Sequence, residues 1–108
     1  MTHGRVRRAY LGLVGQPRPL PRSLARRLHL KESAAVEVAA LDPHGPAARA
    51  GVCKGDLIIH LADQPTSSVD DIHHLLGEWT IGEPLPVVIL RGEGQQKVHI
   101  VPTEGTGT

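Results

Sequence analysis

Aromatic side chains are almost absent from this sequence, whose 108 residues include one Tyr, one Trp and no Phe. Proteins that bind single-stranded nucleic acids stack the bases on aromatic rings, and this chain has no rings to spare. The helix predicted after Ser68 carries Asp70, Asp71 and Glu78, which argues against its use as a recognition helix on DNA. We therefore expect no nucleic-acid partner, and a core built from Leu, Val, Ile and Ala.

Cysteine and long apolar runs are also scarce. Cys53 is the single cysteine, so no internal disulfide can form and the redox compartment stays open. No apolar run approaches the roughly 18–20 residues that cross a bilayer, so we expect no direct membrane insertion. The residues after Met1 do not lead into a signal peptide. Because this start looks like the cut end of a fragment, it leaves the location of a longer parent protein unknown.

Acidic residues are missing from the first 31 positions, which carry eight Arg or Lys. The rest of the chain carries four basic and eleven acidic residues, so the formal net charge of +1 hides charges of +8 and −7 in the two parts. A local positive field favours anionic partners, either phosphates or carboxylates. An arginine-rich face that is merely solvated is the alternative interpretation.

No constellation for catalysis or metal binding stands out. Seven histidines are present, but His73 and His74 point about 100° apart on a helix, and no His-Glu-x-x-His pattern accompanies them. No serine lies in a Gly-x-Ser-x-Gly elbow. Cys53 next to Lys54 is better explained as incidental than as a nucleophile. We expect no catalytic residues, no metal and no cofactor in this chain.

The pattern of strands predicts one α+β domain, because short strands and helices are mingled without regular βαβ alternation. Strands are predicted at residues 10–14, 36–41, 56–62, 87–91 and 97–101. The residues Pro17, Pro19 and Pro21 are predicted to form an extended connector after the first strand.

Three helices are predicted from capping signals. Ser23 is expected to cap a helix over residues 24–30, and Pro46 suits the first turn of a short helix over 47–50. Ser68 is expected to cap a helix of about nine residues that Gly77 ends.

Two stretches then fit together in one pattern. Residues 45–58 read Gly-x-Ala-x-x-Ala-Gly-x-x-x-Gly-Asp-x-Ile, residues 7–13 read Arg-Arg-Ala-Tyr-Leu-Gly-Leu, and residues 69–72 read Val-Asp-Asp-Ile. Together they resemble a PDZ domain of the kind attached to bacterial serine proteases of the HtrA (Deg) group. The resemblance covers residues 5–102, which leaves 1–4 as a leader and 103–108 as a tail, both expected to be disordered. It implies a small, partly open antiparallel β-barrel or sandwich of five to six short strands, flanked by two or three helices.

The resemblance also implies a binding site. A loop formed by Tyr10, Leu11, Gly12 and Leu13 would turn its backbone N–H groups toward the terminal carboxylate of a peptide. The peptide would then add as a strand along Leu13, Val14 and Gly15, an unpaired sheet edge. Either Arg7 or Arg8 would add electrostatic support, directly or through water.

Residue matching suggests how the side chains of the peptide are held. Leu11, Leu13, Ile72 and Leu76 would line an apolar slot for the last side chain of the ligand. Val69, at the first groove-facing position of the helix, suggests an apolar preference two residues before the end. His73 either borders this groove or faces solvent.

The function implied is that of a non-catalytic peptide-binding module. It would recognise the C-terminal or unfolded segments of substrate proteins and relay their binding to the protease domain of an HtrA-like serine endopeptidase. The parent would then be bacterial and periplasmic, membrane-anchored or otherwise extracytoplasmic. A PDZ domain from another parent, such as an intramembrane metalloprotease or a secretion component, is the alternative. An enzyme, in contrast, would hydrolyse unfolded casein with this domain alone, and we expect no such cleavage.

Overall fold

The computed structural model of the chain describes residues 8–29, 34–92 and 94–105. The predicted leader, residues 1–4, lies outside them. The elements, in chain order, are β1 (Arg8–Tyr10), β2 (Leu13–Pro19), α1 (Arg22–Arg27), β3 (Ala34–Leu41), α2 (Pro46–Arg49), β4 (Leu57–Leu61), β5 (Gln64–Pro65), α3 (Val69–Glu78), β6 (Leu85–Arg91), β7 (Gly94–Ile100) and β8 (Thr103–Gly105).

The main sheet is antiparallel and has the strand order β2-β3-β4-β6-β7, with the short β5 paired to β4. A separate pair joins β1 to β8. The sheet is open rather than closed, and it carries three helices in the described part of the chain. The α+β fold class expected from the sequence is thereby confirmed. Among the described residues, β2 is an edge strand of this sheet, because β3 is the strand that pairs with it there.

Both faces of the sheet are covered by apolar packing. Ile58 and Ile59 are neighbours in β4 and point to opposite faces, yet both are buried. Ile58 lies in the main cluster, where Ile72 of α3 also packs. Ile59 lies in a second cluster, against which Leu24 packs from α1. The fold therefore places α3 over one face of the sheet and α1 over the other.

The start of α3 follows the capping signal in the sequence. The Ser68 hydroxyl accepts a hydrogen bond from the Asp71 N–H at 3.1 Å, and the Asp71 carboxylate accepts one from the Ser67 N–H at 3.1 Å. Hydrogen bonds from Ser67 and Ser68 outweigh the cost of partial burial and lower the pKa of Asp71. The predicted end is wrong: Gly77 lies within the helix, which continues to Glu78.

The cap predicted for α1 is also wrong. The helix begins at Arg22 with Pro21 at its N-cap, and no side chain caps it, so Ser23 lies inside the first turn. Proline has no side-chain oxygen to accept from the first helical N–H groups, so this helix begins without a side-chain cap. Leu24 and Leu28 then pack against the second cluster, as their spacing of one turn indicated.

Two other predicted irregular segments are strands instead. Pro17 and Pro19 belong to β2, where they pair with Val36 and Ala34, rather than to a connector. The tail is not disordered at Thr103–Gly105, because these residues pair with β1 and follow the buried Pro102. Pairing satisfies those backbone groups of each segment that face its partner strand.

A buried ion pair connects the turn between α2 and β4, which belongs to the motif at residues 45–58, to the sheet. Asp56 is 2% exposed, and its carboxylate accepts hydrogen bonds from Arg91 Nε at 2.9 Å, from Arg91 Nη2 at 2.7 Å and from the Cys53 N–H at 2.8 Å. Arg91 Nη2 also donates to the carbonyl oxygen of Gly51 at 2.9 Å. Arg91 in β6 thus fastens the turn between α2 and β4.

Candidate functional site

The short loop between β1 and β2 directs two backbone N–H groups out of the fold. The carbonyl of Leu11 accepts from the Ala47 N–H at 2.8 Å, and that of Gly12 accepts from the Asp42 N–H at 2.8 Å. Every described peptide bond is trans, so the N–H following each carbonyl points the opposite way. The N–H groups of Gly12 and Leu13 therefore point away from α2 and β3. No other described residue accepts the Gly12 N–H in the loop and turn contacts.

Gly12 is required by both its conformation and its surroundings. Its φ is +79°, in the left-handed region that side chains with a Cβ rarely adopt. A Cβ built there would lie 3.1 Å from the Gly45 Cα and 3.3 Å from the Pro46 Cδ. The loop can therefore lie against the turn before α2 only because both positions are glycine.

Tyr10 supports this loop from the side. Its backbone pairs with Thr103, and its hydroxyl donates to Asp42 Oδ2 at 3.2 Å. The same carboxylate accepts the His44 N–H at 3.0 Å through Oδ1. Desolvation, followed by the hydrogen bond and charge of Asp42, raises the pKa of Tyr10. The structure thus places the Tyr10 side chain on the turn that holds the loop.

The edge of β2 presents alternate residues outward. Val38 donates its N–H to Asp56 and accepts at its carbonyl from Gly55, so both groups point toward β4. Its partner across the ladder, Gly15, therefore points its own N–H and C=O to the free edge of the sheet. Leu13, two residues earlier, points the same way, whereas the backbone of Val14 faces β3.

The predicted apolar slot residues lie together in one cluster. Leu11 and Ile72 are buried within the main cluster, and Leu13, Val69 and Leu76 are half-buried against it. Leu11 and Ile72 offer little surface to a ligand because they are buried. The accessible apolar surface comes from the three half-buried side chains. The Val14 side chain, on the opposite face of β2, is 59% exposed.

The start of α3 lies directly over Gly15. A Cβ built on Gly15 would lie 2.5 Å from Val36 Cγ1 and 3.6 Å from Val69 Cγ2. The surface between β2 and α3, called the groove below, therefore passes Gly15 on one side and Val69 on the other.

Substituting Gly15 by alanine is expected to destabilise the fold by roughly 1–3 kcal/mol, since the new methyl group would overpack the buried Val36. The Gly15→Ala, Val36→Ala double variant should lose at least about 0.5 kcal/mol less than the sum of the single variants. Urea unfolding gives the free energy of unfolding of the two single variants and the double variant. Gly94→Ala, at a strand position where the nearest atom lies at 3.9 Å, is the control and should change stability little. Additive effects at Gly15 and Val36 would contradict this packing.

Three predicted residues remain, His73, Arg7 and Arg8. His73 is exposed and borders an open depression with His74, Gly77 and Glu78. Arg7 lies outside the described residues, and Arg8 opens β1.

Sequence reasoning missed Asp42 and Ala47, whose N–H groups hold the loop carbonyls. No local pattern could have found them, since they are distant from the loop along the chain.

In the described ranges, no group of three or more His, Cys, Asp or Glu is placed to hold a metal ion. The helices described there also include none that is long and apolar enough to span a membrane.

Comparison with known proteins identifies the family. The sequence model of the family described as "PDZ domain" matches residues 37–91. The chain belongs to the PDZ domain family. Its match includes the glycine-rich motif, Asp56 and α3, but begins after the loop at Gly12.

Relatives of this PDZ domain include long serine proteases. It is 34% identical over 99 residues to the "Probable periplasmic serine endoprotease DegP-like" of Pseudomonas fluorescens, covering 92% of this chain and 20% of that protein. It is 30% identical to "Serine endoprotease DegS" of Escherichia coli, covering 97% of this chain and 29% of that protein. The PDZ domain thus spans only a fifth to a third of these relatives.

Solved structures that are similar to this PDZ domain include a protease named together with a peptide. "HtrA-type protease AlgW with decapeptide" matches with a TM-score of 0.79 and 28% identity, covering 98% of this PDZ domain and 32% of that chain. The similarity extends over β1, β2 and the Gly12 loop, which the family match does not include.

Proposed function

We propose that this PDZ domain binds the C-terminal ends of polypeptides, with the terminal carboxylate on the N–H groups of Gly12 and Leu13. The observation that carries the proposal is the anchoring of two consecutive carbonyls, those of Leu11 and Gly12, by Ala47 and Asp42 at 2.8 Å each. Because both carbonyls are held inside, both following amides are turned outward before any ligand arrives. This preorganisation lowers the entropic cost of binding an anion there.

A carboxylate suits this pair of donors better than a neutral group does. A hydrogen bond to a charged group contributes roughly 1.5–3 kcal/mol, against about 1 kcal/mol for a neutral pair. Two such bonds to one carboxylate outweigh any single strand-pairing bond farther along the peptide. Arg7 or Arg8 adds long-range attraction in this proposal, since both precede the loop in a region without acidic residues.

The rest of the peptide adds as a strand to the free edge of β2, where Leu13 and Gly15 offer outward N–H and C=O groups. Its last side chain rests on Leu13 and Leu76, above the buried Leu11 and Ile72. The side chain two residues earlier meets Val69, which favours an apolar residue. His73 borders the outer rim of the groove.

The relatives support an HtrA-like serine endopeptidase as the parent protein, because those cited above are named serine endoproteases. In such a parent, the PDZ domain at residues 5–102 would recognise exposed or unfolded segments of substrates and relay their binding to the protease domain. The name of the Pseudomonas fluorescens relative includes "periplasmic", which favours an extracytoplasmic parent. An intramembrane metalloprotease or secretion component as parent is less well supported by these names.

The proposal is tested with a pair of peptides that differ only at the C-terminus. A peptide that ends in valine with a free carboxylate is expected to bind at least about tenfold tighter than its amidated twin, since amidation removes one charge-assisted contact or more. Fluorescence anisotropy gives both dissociation constants. In NMR titrations, the amide signals of Gly12, Leu13 and Gly15 should shift most. Equal affinities for the two peptides would contradict recognition of the carboxylate.

A further inference from the structure

Two prolines occupy the outward-facing positions of β2 beyond the groove. Outward positions alternate along the strand, so Leu13 and Gly15 are followed by Pro17 and Pro19. The cross-strand partner of Pro17 is Val36, which shares with Val38 the orientation toward β4, because the two are separated by one residue of a regular ladder. Neither proline has an N–H, so the free edge loses its donors after Gly15.

The side chains around these prolines do not replace the missing donors. Gln16 Nε2 donates to Glu37 Oε1 at 2.8 Å, and Arg18 Nη1 donates to the same oxygen at 3.2 Å. Gln16 and Arg18 alternate with the prolines and lie on the opposite face of the strand from the groove. Each of them thus donates to Glu37 on the face of the strand that is away from a guest peptide.

We propose that two-bond main-chain pairing in this domain ends at the third residue from the C-terminus of the ligand. This rests on the proposed function, which places the terminal carboxylate at Gly12 and Leu13. In antiparallel pairing, the third residue from the end faces Gly15 and makes two hydrogen bonds with it. The fifth residue from the end faces Pro17, which accepts one bond at its carbonyl but leaves the guest carbonyl without a donor.

The ligand class is therefore a short, extended tail that needs only its last three residues in strand geometry. A longer partner segment gains little from further pairing, so a folded protein need expose only a frayed C-terminus to be bound. The same prolines keep a second copy of this domain from pairing along the whole edge.

The experiment compares a tetrapeptide that ends in valine with an octapeptide that has the same last four residues, preceded by alternating glycine and serine. The unmodified domain is expected to bind both within about twofold. Pro17→Ala restores a donor, so it should bind the octapeptide about two- to tenfold tighter than the unmodified domain does, with unchanged tetrapeptide affinity. Isothermal titration calorimetry gives each constant.

Pro21→Ala is the matched control, since Pro21 lies outside β2 and should affect neither peptide. Unchanged tetrapeptide affinity shows that the groove of each variant is intact. The inference is overturned if the unmodified domain binds the octapeptide more than about tenfold tighter, or if Pro17→Ala leaves octapeptide affinity unchanged or changes both peptides equally. Absence of binding by both peptides would instead refute the proposed function, and this inference with it.

Discussion

Gly12→Ala is expected to weaken binding of a free C-terminal peptide by at least about tenfold. Alanine resists the φ of +79° at this position, and its methyl group would lie 3.1 Å from the Gly45 Cα. Any relief of this contact rotates the peptide units that point the Gly12 and Leu13 amides outward. Losing one charge-assisted contact of roughly 1.5–3 kcal/mol corresponds to about 10- to 150-fold in affinity. Calorimetry with the valine-terminated tetrapeptide measures the loss.

Gly82→Ala separates this effect from general strain. Gly82 has a φ of +91° and nothing within 4 Å of a built Cβ. Its substitution by alanine therefore has the same cost of a left-handed φ as Gly12→Ala, but causes no steric contact. That cost is about 1–2 kcal/mol of stability for each variant. Gly82→Ala should bind the peptide normally. If Gly12→Ala is folded and retains full affinity, the amides of this loop do not hold the carboxylate.

Local signals in the sequence located several elements well. Ser68 followed by Asp71 marked the start of α3, and Pro46 marked that of α2, because caps and first-turn prolines act within one helical turn. The motif over residues 45–58 also indicated the family, and the family match at residues 37–91 includes it. Such features need no knowledge of the rest of the fold.

Other features depend on distant partners and could not be read locally. Pro17 and Pro19 looked like a connector, because proline weakens a strand unless its missing N–H faces a free edge. They are compatible with a strand because β2 pairs with β3 and has no partner on its other side in the part of the chain that the structure describes. Likewise, Thr103–Gly105 becomes ordered through β1, almost a whole chain length away.

The candidate site shows the same division. Resemblance to a family indicated the loop over residues 10–13 and one face of α3, and their role in binding stays a prediction. What orients the loop, however, is a pair of hydrogen bonds from Asp42 and Ala47, which the pattern of residues near Gly12 does not contain. A sequence can thus indicate where a backbone site lies without showing which atoms hold it in place.

Arg91→Met is expected to destabilise the domain by roughly 2–4 kcal/mol at pH 7. Breaking a buried ion pair costs about 3–5 kcal/mol, and we reduce that figure because the Arg91 side chain is 38% exposed. Among the hydrogen bonds described for the buried carboxylate of Asp56, the variant retains the one from the Cys53 N–H. Urea unfolding of the two proteins gives the difference. Arg18→Met is the control, because the Arg18–Glu37 pair is at the surface and should contribute at most about 1 kcal/mol.

The effect of Arg91 should depend on pH in a defined direction. Burial raises the pKa of Asp56, but the hydrogen bond from Arg91, that from the Cys53 N–H and the charge of Arg91 together lower it below its ordinary value of 3.8. A lowered pKa adds stability above the unfolded-state value, and this stability is lost as the pH falls through the folded-state value. The difference in free energy of unfolding between the unmodified domain and Arg91→Met should therefore be largest at pH 6–7 and should decrease below about pH 4. A difference that stays constant down to pH 2 would show that Arg91 stabilises the turn through packing or its bond to Gly51, and not through the charge of Asp56.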